Sequence, residues 1–407
     1  MTDVAIIGGG AAGLACAAYL CSSGRKLSII ILDSGERAGK KLSQTGNGQG
    51  NVSNTDLRCV HYHGSKELVH LAEDIVCSGR YDWRSLFGCL FVTDERGRIY
   101  PSGRQASSLT DLLLKRIRSS KDCTCTLRLQ TTATKIQKTE EGFRIQTDGG
   151  VAESRYAVLC TGGAVARQFR TDGSSYALAT DLGHRKTPVL PSLVQLKTDM
   201  TDIKTLRGIR VEACLRAERQ HKDLASAYGD VIFTSYGVSG SAVFDISSKT
   251  AGIIDRGDVV LHLDFLPQFS EHEIADMLRR RWNEGCRDED LLCGTLHNTV
   301  SRMIVRKAKA GGNEASVLQD IVRLVKDFPL RVTGSAGADF AQVTHGGIRG
   351  DEVTEELESR IVPGLFMAGE ILDLDGDCGG YNLQWAFCSG MHAADAVLKR
   401  LRRNSLA

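Results

Sequence analysis

The sequence predicts an α/β fold in which both ends of the chain build one domain and the middle of the chain forms an insertion. Three observations support this: a strand, glycine turn and helix at the N-terminus, alternating segments from about Pro191, and a return to buried strands with another glycine turn near the C-terminus. The length of 407 residues allows about two domains. We place the boundaries at residues 1–190, 191–268, 269–328, 329–342 and 343–407.

The first elements form a βαβ start. In VAIIGGGAAGLACAAYL, an apolar run at residues 4–7 predicts a buried strand, and a helix rich in Ala, Leu and Cys follows the glycines. A second apolar strand, LSIIILD, ends at Asp33. Downstream, LTDLLLKRIRSS predicts an amphipathic helix begun by Thr110 and Asp111, and TLRLQTTATKIQKTEEGFRIQTDGG alternates as a β-meander does. YAVLCTGG, at residues 156–163, predicts another buried strand that ends in a diglycine turn.

The insertion has a different pattern. The segments SLVQLKTD, IRVEACLRAERQ, GDVIFTS and VVLHLDFLP alternate, which favours an antiparallel sheet or barrel over residues 191–268, with a return strand at 329–342. SEHEIADMLRRRWNEGCRDEDLL and TVSRMIVRKAK have helical periodicity and predict a small helical domain at 269–328. Ser270 and Glu273 are spaced as a capping box at its start.

The composition excludes several classes of protein. A formal net charge of +2, with 25% charged residues, argues against a strongly basic nucleic-acid binder. The thirteen cysteines include no CxxC pair and no zinc spacing, and their odd number without a signal peptide predicts free thiols in the cytoplasm. Since no apolar run reaches about 20 residues, we expect no membrane partner.

The N-terminal turn carries the pattern GxGxxG at Gly8, Gly10 and Gly13. The first glycine permits the tight turn, the second lets the backbone approach a pyrophosphate, and the third lets the helix pack on the strand. Ala11 and Ala12 begin the helix, whose N–H groups would bind the phosphates. Asp33 lies about 20 residues further on, where a carboxylate can accept ribose hydroxyls. The pattern predicts a dinucleotide site; a simple turn with a solvated carboxylate is the alternative.

Other glycine-rich segments favour FAD over a nicotinamide cofactor. CTGGAVARQF closes a buried strand, GLFMAGEILD ends a late strand with an acidic residue, and GDCGGYNLQWAFCSG is a turn that opens a helix. The N–H groups of that helix would face the electron-rich edge of a flavin. The alternative is a pair of unrelated helix starts. The cofactor-lining residues predicted here are Thr161, Gly162, Gly163, Gly369, Glu370, Gly380, Asn382 and Leu383.

These segments, with AGKKLSQTGNGQGNVSN, LPSLVQL, FTSYGVSGSAVFDIS and VTHGGIRGDEV, resemble the BaiN-like (YhiN-like) bacterial flavoproteins over nearly the whole chain. The resemblance implies a discontinuous FAD-binding Rossmann-like domain at residues 1–190 and 343–407, with an inserted β-barrel-like domain and a small helical domain. Members are similar to aminoacetone oxidases and to 3-dehydro-bile-acid reductases. The implied cofactor is FAD.

By position in the family, the loop after the βαβ start is implied to lie along the flavin. The loop of relatives reads like TGNGRCN, whereas Gln49 and Gly50 stand here in place of the Arg-Cys pair, so a cation and a thiol are missing. The alternative is a solvated turn. The residues implied to line the cofactor are Lys40, Lys41, Thr45, Gly46, Asn47, Gly48 and Asn51.

Three residues are candidates for catalysis. His345, in Thr-His-Gly-Gly, would place an imidazole near the reactive face of the ring, where a group with a pKa near ~6.5 can exchange a proton. Tyr236 lies in an altered loop in which Ser241 replaces the family's proline, and Tyr381 begins the flavin-facing helix. The competing interpretations are a hydrogen-bonded structural histidine and a tyrosine that only packs in the core.

Other cysteine, histidine and basic motifs give less support for a functional site. Cys378 lies in the glycine turn and could have a redox role, whereas Cys160 ends a buried strand and is expected to pack there. The basic runs at 278–282, 305–310 and 398–403 are typical of solvated helix faces. His61 and His63 lack carboxylate or cysteine ligands at metal spacing, so we predict no metal site.

Together these observations predict a cytoplasmic FAD-dependent oxidoreductase that reduces an activated C=C bond in a hydrophobic small molecule of the bile-acid or enone kind. Because a second GxGxxG is missing from the sequence, NADH or NADPH would dock transiently as the hydride donor. One alternative is an amine oxidase of the aminoacetone type. Another is a flavin-binding interaction protein or RNA-associated protein without turnover, although we expect no nucleic-acid partner.

Overall fold

The computed structural model describes residues 1–310 and 316–403, so parts of the predicted segments 269–328 and 343–407 lie outside the described residues. The chain divides into two compact units. We call residues 1–190 and 343–407 the terminal unit, and residues 191–342 the inserted unit.

The strands and helices are given in chain order. The strands are β1 (Thr2–Ile7), β2 (Leu27–Leu32), β3 (Ser53–Asn54), β4 (Tyr62–Gly64), β5 (Phe91–Thr93), β6 (Arg98–Pro101), β7 (Cys123–Arg128), β8 (Ala133–Lys138), β9 (Phe143–Thr147), β10 (Gly150–Leu159), β11 (Leu190–Ser192), β12 (Leu196–Thr198), β13 (Arg210–Arg219), β14 (Lys222–Phe233), β15 (Gly237–Ser239), β16 (Val259–Asp264), β17 (Phe328–Ser335), β18 (Val343–His345), β19 (Leu365–Met367) and β20 (Leu374–Gly376). The helices are α1 (Ala11–Cys21), α2 (Lys66–Ala72), α3 (Ala106–Arg118), α4 (Ala177–Thr180), α5 (Ser241–Lys249), α6 (Glu271–Asn283), α7 (Asn298–Ala310), α8 (Val317–Lys326) and α9 (Tyr381–Arg403).

The terminal unit is built on a parallel sheet. Its strands follow the order β7-β2-β1-β10, and β19 pairs in parallel with the end of β10. Val4, Ala5 and Ile6 of β1 are completely buried, as expected for a strand covered on both faces. The first half of β10 pairs antiparallel with β9, which pairs with β8. The glycine turn after β1 therefore lies at the carboxyl edge of a parallel sheet, where open α/β sheets bind their ligands.

The predicted β-meander is wrong at its first strand. β7 pairs in parallel with β2, with Cys125 opposite Ile29, and belongs to the parallel sheet. Only β8, β9 and the start of β10 are antiparallel. The alternating burial of β7 is that of a strand at the edge of its sheet, and this pattern is the same for a parallel and an antiparallel neighbour.

The start of α3 is also different from the prediction. The helix begins at Ala106, four residues before Thr110. Thr110 is buried, and its hydroxyl lies 3.0 Å from the Ser43 hydroxyl, so the side chain packs α3 against another segment and does not cap the helix. The Ala106 N–H donates to the Gly48 carbonyl at 2.8 Å.

The inserted unit contains a closed barrel in which every pairing is antiparallel, in the order β12-β15-β14-β13-β16-β17. Its core is continuous with that of α6 to α8, since Leu261 and Phe328 of the barrel and Ile321 of α8 belong to one buried cluster. The capping box predicted at Ser270 and Glu273 is confirmed. Within the described ranges, no helix is long and apolar enough to cross a membrane.

Candidate functional site

The turn between β1 and α1 is shaped by close backbone approaches that only glycine permits. A methyl group added at Gly8, where φ is 105°, would lie 2.3 Å from the Cys160 carbonyl oxygen, and one added at Gly13 would lie 1.9 Å from the Gly8 carbonyl oxygen. At Gly10 an added methyl group would meet nothing within 4 Å. No side chain caps α1 at Gly10, so the N–H groups of Ala11 and Ala12 remain suited to an anionic ligand.

Asp33 braces this turn. Its Oδ2 accepts a hydrogen bond from the Gly9 N–H at 2.7 Å, and its Oδ1 accepts one from the Gly35 N–H at 2.7 Å. Each carboxylate oxygen can accept a second hydrogen bond. Binding of ribose hydroxyls by Asp33 stays a prediction.

The loop at residues 45–51 adopts the left-handed conformations that its glycines and asparagine favour. The φ angles of Gly46, Asn47, Gly48 and Gly50 are 57°, 54°, 81° and 78°. The Thr45 hydroxyl donates to the Leu42 carbonyl at 2.8 Å and so closes the start of the loop on itself. The loop is therefore a shaped element of the terminal unit.

Glu370 joins three segments that are distant in sequence. Its Oε2 lies 2.8 Å from Lys41 Nζ, and its Oε1 accepts a hydrogen bond from the Thr344 N–H at 2.9 Å. Thr344 Oγ1 accepts the Ala164 N–H at 2.8 Å, and a methyl group at Gly163 would lie 2.0 Å from that oxygen. Lys41, the diglycine at 162–163 and Thr344 of β18 thus meet at the carboxylate that follows β19.

Lys40 is directed elsewhere. Its Nζ lies 3.1 Å from Glu36 Oε1 in an exposed pair four residues apart. The structure therefore brings only one of the two predicted lysines to Glu370.

The segment from the end of β19 to the start of α9 adjoins the same region. A methyl group at Gly369 would lie 2.8 Å from the Ala12 Cβ. The Asn382 side chain donates to the Gly376 carbonyl at 2.7 Å and accepts the Gly376 N–H at 2.8 Å, so it holds the turn that opens α9. Leu383 is partly buried against the main core. Tyr381 is buried and its ring stacks on His61, with centroids 4.5 Å apart.

Two buried oxygens give a test of whether this region fits a cofactor. Asn51 Oδ1 and Thr161 Oγ1 have no hydrogen-bond partner among the described residues. An orphaned buried polar group costs about 1–3 kcal/mol, so both positions call for a polar ligand. A methyl group at Gly380 would lie 2.7 Å from Asn51 Oδ1, which places this oxygen beside the turn that opens α9. The phosphates, ribityl chain and ring of FAD carry the polar groups that these residues lack.

His345 is paired with a carboxylate that the sequence analysis missed. Its Nδ1 lies 2.8 Å from Asp375 Oδ1, and the Asp375 side chain is completely buried. This hydrogen bond raises the pKa of His345 above its usual value, against the opposing effect of burial. His345 keeps about a third of its side chain exposed (32%), which leaves the imidazole accessible to a ligand.

The statement that His61 and His63 lack a nearby carboxylate is wrong. Asp377 Oδ2 lies 2.9 Å from His61 Nδ1, and Asp377 Oδ1 lies 2.8 Å from His63 Nε2. The antiparallel pairing of β4 with β20 brings these residues together across more than 300 positions of sequence. Among the residues that the structure describes, no group of three or more side chains could hold a metal ion.

The third catalytic candidate, Tyr236, lies in the inserted unit. It is partly exposed beside β15, and its hydroxyl donates to Gln195 Oε1. Ser241 begins α5, and its hydroxyl oxygen accepts the Asp230 N–H at 3.0 Å. A role for Tyr236 in catalysis stays a prediction.

The two cysteine candidates differ in environment. Cys160 is buried, and burial raises the pKa of its thiol well above the ordinary value, so the thiol is neutral. Cys378 is partly buried in the turn before α9.

The fold and this site define a protein of the FAD-binding Rossmann class, with a parallel sheet and an inserted six-stranded barrel. The chain belongs to the HI0933-like family, because the family's Rossmann-domain sequence model matches residues 2–396. This confirms the predicted fold class and the BaiN-like resemblance.

Similar proteins extend over the whole chain. It is 34% identical to a 3-dehydro-bile acid delta(4,6)-reductase of Clostridium scindens, over 98% of this chain and 100% of the relative. It is 26% identical to a ribosomal RNA dihydrouridine synthase of Escherichia coli, over 97% of this chain and 98% of the relative. Family and fold identify the chain as an FAD-dependent oxidoreductase.

Among solved structures, a 3-ketosteroid delta1-dehydrogenase of Sterolibacterium denitrificans has a TM-score of 0.52 and 13% identity, covering 98% of this chain and 99% of that one. A flavocytochrome c3 fumarate reductase has a TM-score of 0.50 and 16% identity, covering 98% of this chain and 78% of that one. At these identities the likeness concerns the fold alone.

Proposed function

We propose that this oxidoreductase reduces a C=C bond conjugated to a carbonyl group in a hydrophobic small molecule of the bile-acid or enone kind. The observation that carries the proposal is the pairing of His345 with buried Asp375 in the unit that contains the glycine turn. Such a reduction adds a hydride to one carbon of the double bond and a proton to the other. The second step requires a proton donor near neutral pH.

His345 is suited to that step. With Nδ1 held by Asp375, the proton that can leave is the one on Nε2, and the raised pKa keeps the ring protonated over more of the neutral range. Asp375 would act as a positioning residue, since it is completely buried and fixes the orientation of the imidazole. His345 would restore its Nε2 proton from water, because part of the ring is exposed.

FAD, when bound, supplies the hydride. The residues placed to hold it are the N–H groups at the start of α1, the loop at 45–51, the Glu370 cluster and the turn before α9. Lys41 pairs with Glu370 at 2.8 Å, so the two charges of this cluster are balanced where only 22% of the Glu370 side chain is exposed. We further propose that NADH or NADPH donates hydride to the flavin.

The reductase relative supports the reaction class, and so does the ribosomal RNA dihydrouridine synthase of Escherichia coli. Dihydrouridine is uridine in which the C5=C6 bond, conjugated to the C4 carbonyl, is saturated, so both names describe reduction of the same type of bond. Uridine in ribosomal RNA is therefore the second candidate substrate. The bile-acid kind is preferred because the identity to that relative is higher, 34% against 26%.

The basic runs bear on the second candidate. They lie on α6, α7 and the end of α9, in agreement with the helices predicted for these runs. The expectation that no nucleic acid binds is tested by the RNA reaction below.

The aminoacetone-type oxidase, in which the substrate donates electrons that pass to oxygen, stays the alternative within the flavoenzymes. All thirteen cysteines are free, which supports the proposed location in the reducing cytoplasm.

The test is anaerobic turnover of the FAD-loaded protein with NADH or NADPH and a 3-oxo-4-ene bile acid, followed by mass spectrometry for the addition of two hydrogen atoms. A parallel reaction contains ribosomal RNA. His345→Ala should lower the rate by about 10²- to 10⁴-fold, the contribution of general acid catalysis. His70→Ala, at an exposed histidine of α2, is the matched control. An unchanged rate in His345→Ala with intact flavin would remove His345 from the mechanism.

A further inference from the structure

We infer that Arg104 determines substrate specificity by binding an anionic group of the substrate beside the loop at 45–51. This inference rests on the proposed function, since it concerns the substrate of that site. It identifies the substrate class as anions that carry a carboxylate or phosphate at a distance from the reducible bond.

The backbone places Arg104 directly against the loop. The residue lies in the turn between β6 and α3, where its N–H donates to the Pro101 carbonyl at 2.8 Å. The turn packs on the loop, because the Ala106 N–H donates to the Gly48 carbonyl, and a methyl group at Gly50 would lie 3.1 Å from the Ala106 Cα. Arg104 is thereby fixed relative to the residues implied to line the flavin.

The guanidinium is held by two contacts that leave its charge unbalanced. It stacks over the Tyr100 ring at 4.4 Å from the centroid, and Nη1 donates to Gln49 Oε1 at 3.2 Å. Across residues 1–310 and 316–403, Arg104 has no carboxylate at ion-pair distance, whereas Arg98 on the neighbouring strand pairs with Asp94 at 2.7 Å. The exposed guanidinium therefore keeps N–H donors for a ligand.

The conformation of Arg104 costs free energy that an ordinary surface arginine avoids. Its φ is 45°, in the left-handed region that side chains other than glycine rarely adopt. Such strain is concentrated at functional sites. A stacked, planar guanidinium also loses little rotamer freedom when it binds, and its geometry matches a carboxylate or a phosphate.

Both candidate substrates meet this requirement. Bile acids carry a side-chain carboxylate, and RNA carries a phosphate at each nucleotide. The shared chemistry is an anionic pair of oxygens that a guanidinium can bind. The two sources are separated by experiment.

The experiment compares Arg104→Gln and Arg104→Lys with wild type on a 3-oxo-4-ene bile acid and on its neutral methyl ester. Arg84→Gln is the matched control, because Arg84 is likewise exposed and stacks on an aromatic ring, Trp83, at 5.1 Å. For the acid, Arg104→Gln should raise KM about five- to tenfold with kcat nearly unchanged, as expected for a partly screened charge-assisted contact. The methyl ester should show equal KM values in all proteins, and the effect on the acid should shrink at high salt.

A binding measurement without turnover separates this inference from the proposed function. The saturated 3-oxo bile acid and its methyl ester are titrated into FAD-loaded protein, and the flavin absorption band reports binding. Weaker binding of the acid alone in Arg104→Gln supports the inference even if no enone is reduced. If Arg104→Gln weakens binding of the acid and the ester equally, or weakens neither, Arg104 does not bind the carboxylate of the substrate.

The phosphate is examined by binding of ribosomal RNA at several salt concentrations. If the anion is a phosphate, Arg104→Gln should reduce the slope of the logarithm of RNA affinity against the logarithm of salt concentration by about one, the value for one phosphate contact. Arg84→Gln should leave this slope unchanged. If neither the bile acid nor the RNA distinguishes Arg104→Gln from wild type, Arg104 does not bind a substrate anion.

Discussion

The pair formed by His345 and Asp375 makes a prediction about stability as well as catalysis. Asp375→Asn keeps the shape of the side chain but replaces an ionised acceptor with a neutral one. The bond being weakened joins Nδ1 to Oδ1 at 2.8 Å, and the carboxylate is completely buried. A hydrogen bond to a charged group contributes about 1.5–3 kcal/mol and a neutral one about 1 kcal/mol, so the expected loss in the free energy of unfolding is about 1–2 kcal/mol.

The sign of the pH dependence follows from the direction of the pKa shift. Because the folded pKa of His345 is raised, its contribution to stability is fully present below the unfolded value of about 6.5 and is lost as pH rises through the folded pKa. The difference between wild type and Asp375→Asn should therefore be largest near about pH 5.5 and smaller near about pH 9.5.

The assay is the melting temperature of both proteins at the two pH values. Asp351→Asn is the control, since Asp351 forms an exposed pair with Arg349 at 2.6 Å, and neither of these two groups changes charge in this range. Its deficit should be small and equal at both pH values. A deficit in Asp375→Asn that is constant, or that grows with pH, would refute the assignment of a charged His345.

Two further predictions concern the cofactor cradle. Lys41→Ala should lower the free energy of unfolding by about 1–2 kcal/mol and weaken FAD retention, because it leaves a half-buried carboxylate without its cation. The control Lys40→Ala removes an exposed pair and should lower the free energy of unfolding by less than about 0.5 kcal/mol. Equal losses in the two variants, measured by urea denaturation, would contradict this difference between the lysines. Gly163→Ala should yield protein with little bound flavin, since the new methyl group would lie 2.0 Å from the Thr344 hydroxyl oxygen. In the control Gly149→Ala, the new methyl group meets nothing within 4 Å. Normal flavin content in both variants, read from absorption spectra, would show that the flavin site tolerates a methyl group at residue 163.

The fold class could be predicted because its signals are local. The strand, glycine turn and helix at the N-terminus depend on backbone angles that glycine permits, and the capping box at Ser270 involves residues three positions apart. Both are properties of short segments, so they can be seen in one sequence. The alternating segments from about Pro191 indicated an antiparallel sheet or barrel, and the whole-chain resemblance implied the barrel.

The errors in the fold arose where a distant partner decides the structure. β7 has the burial pattern of an edge strand, and only its pairing with β2 makes it parallel. Thr110 has the chemistry of a helix cap, but its hydroxyl meets Ser43 in the interior of the unit. Tertiary packing therefore overrode the local preference in both cases.

The site was predicted only in part, again because distant residues complete it. His345 was visible from its motif, but its partner Asp375 lies on another strand 30 residues away. The alternation of aspartates at 373, 375 and 377 was a usable signal, because alternate residues of a strand share a face. Asp377 joins His61 and His63 in the same way. The predicted cofactor contacts remain predictions, to be tested by the flavin content of the variants.

The FAD-loaded protein is proposed to transfer a hydride to a conjugated C=C bond. The most direct measurement reduces the FAD-loaded protein photochemically without oxygen, adds a 3-oxo-4-ene bile acid or ribosomal RNA, and follows the flavin absorption band. We expect one of these substrates to restore the oxidised band, in proportion to the amount of double bond that is consumed. A band that stays bleached with both substrates and returns only when oxygen is admitted would contradict hydride transfer to a conjugated C=C bond.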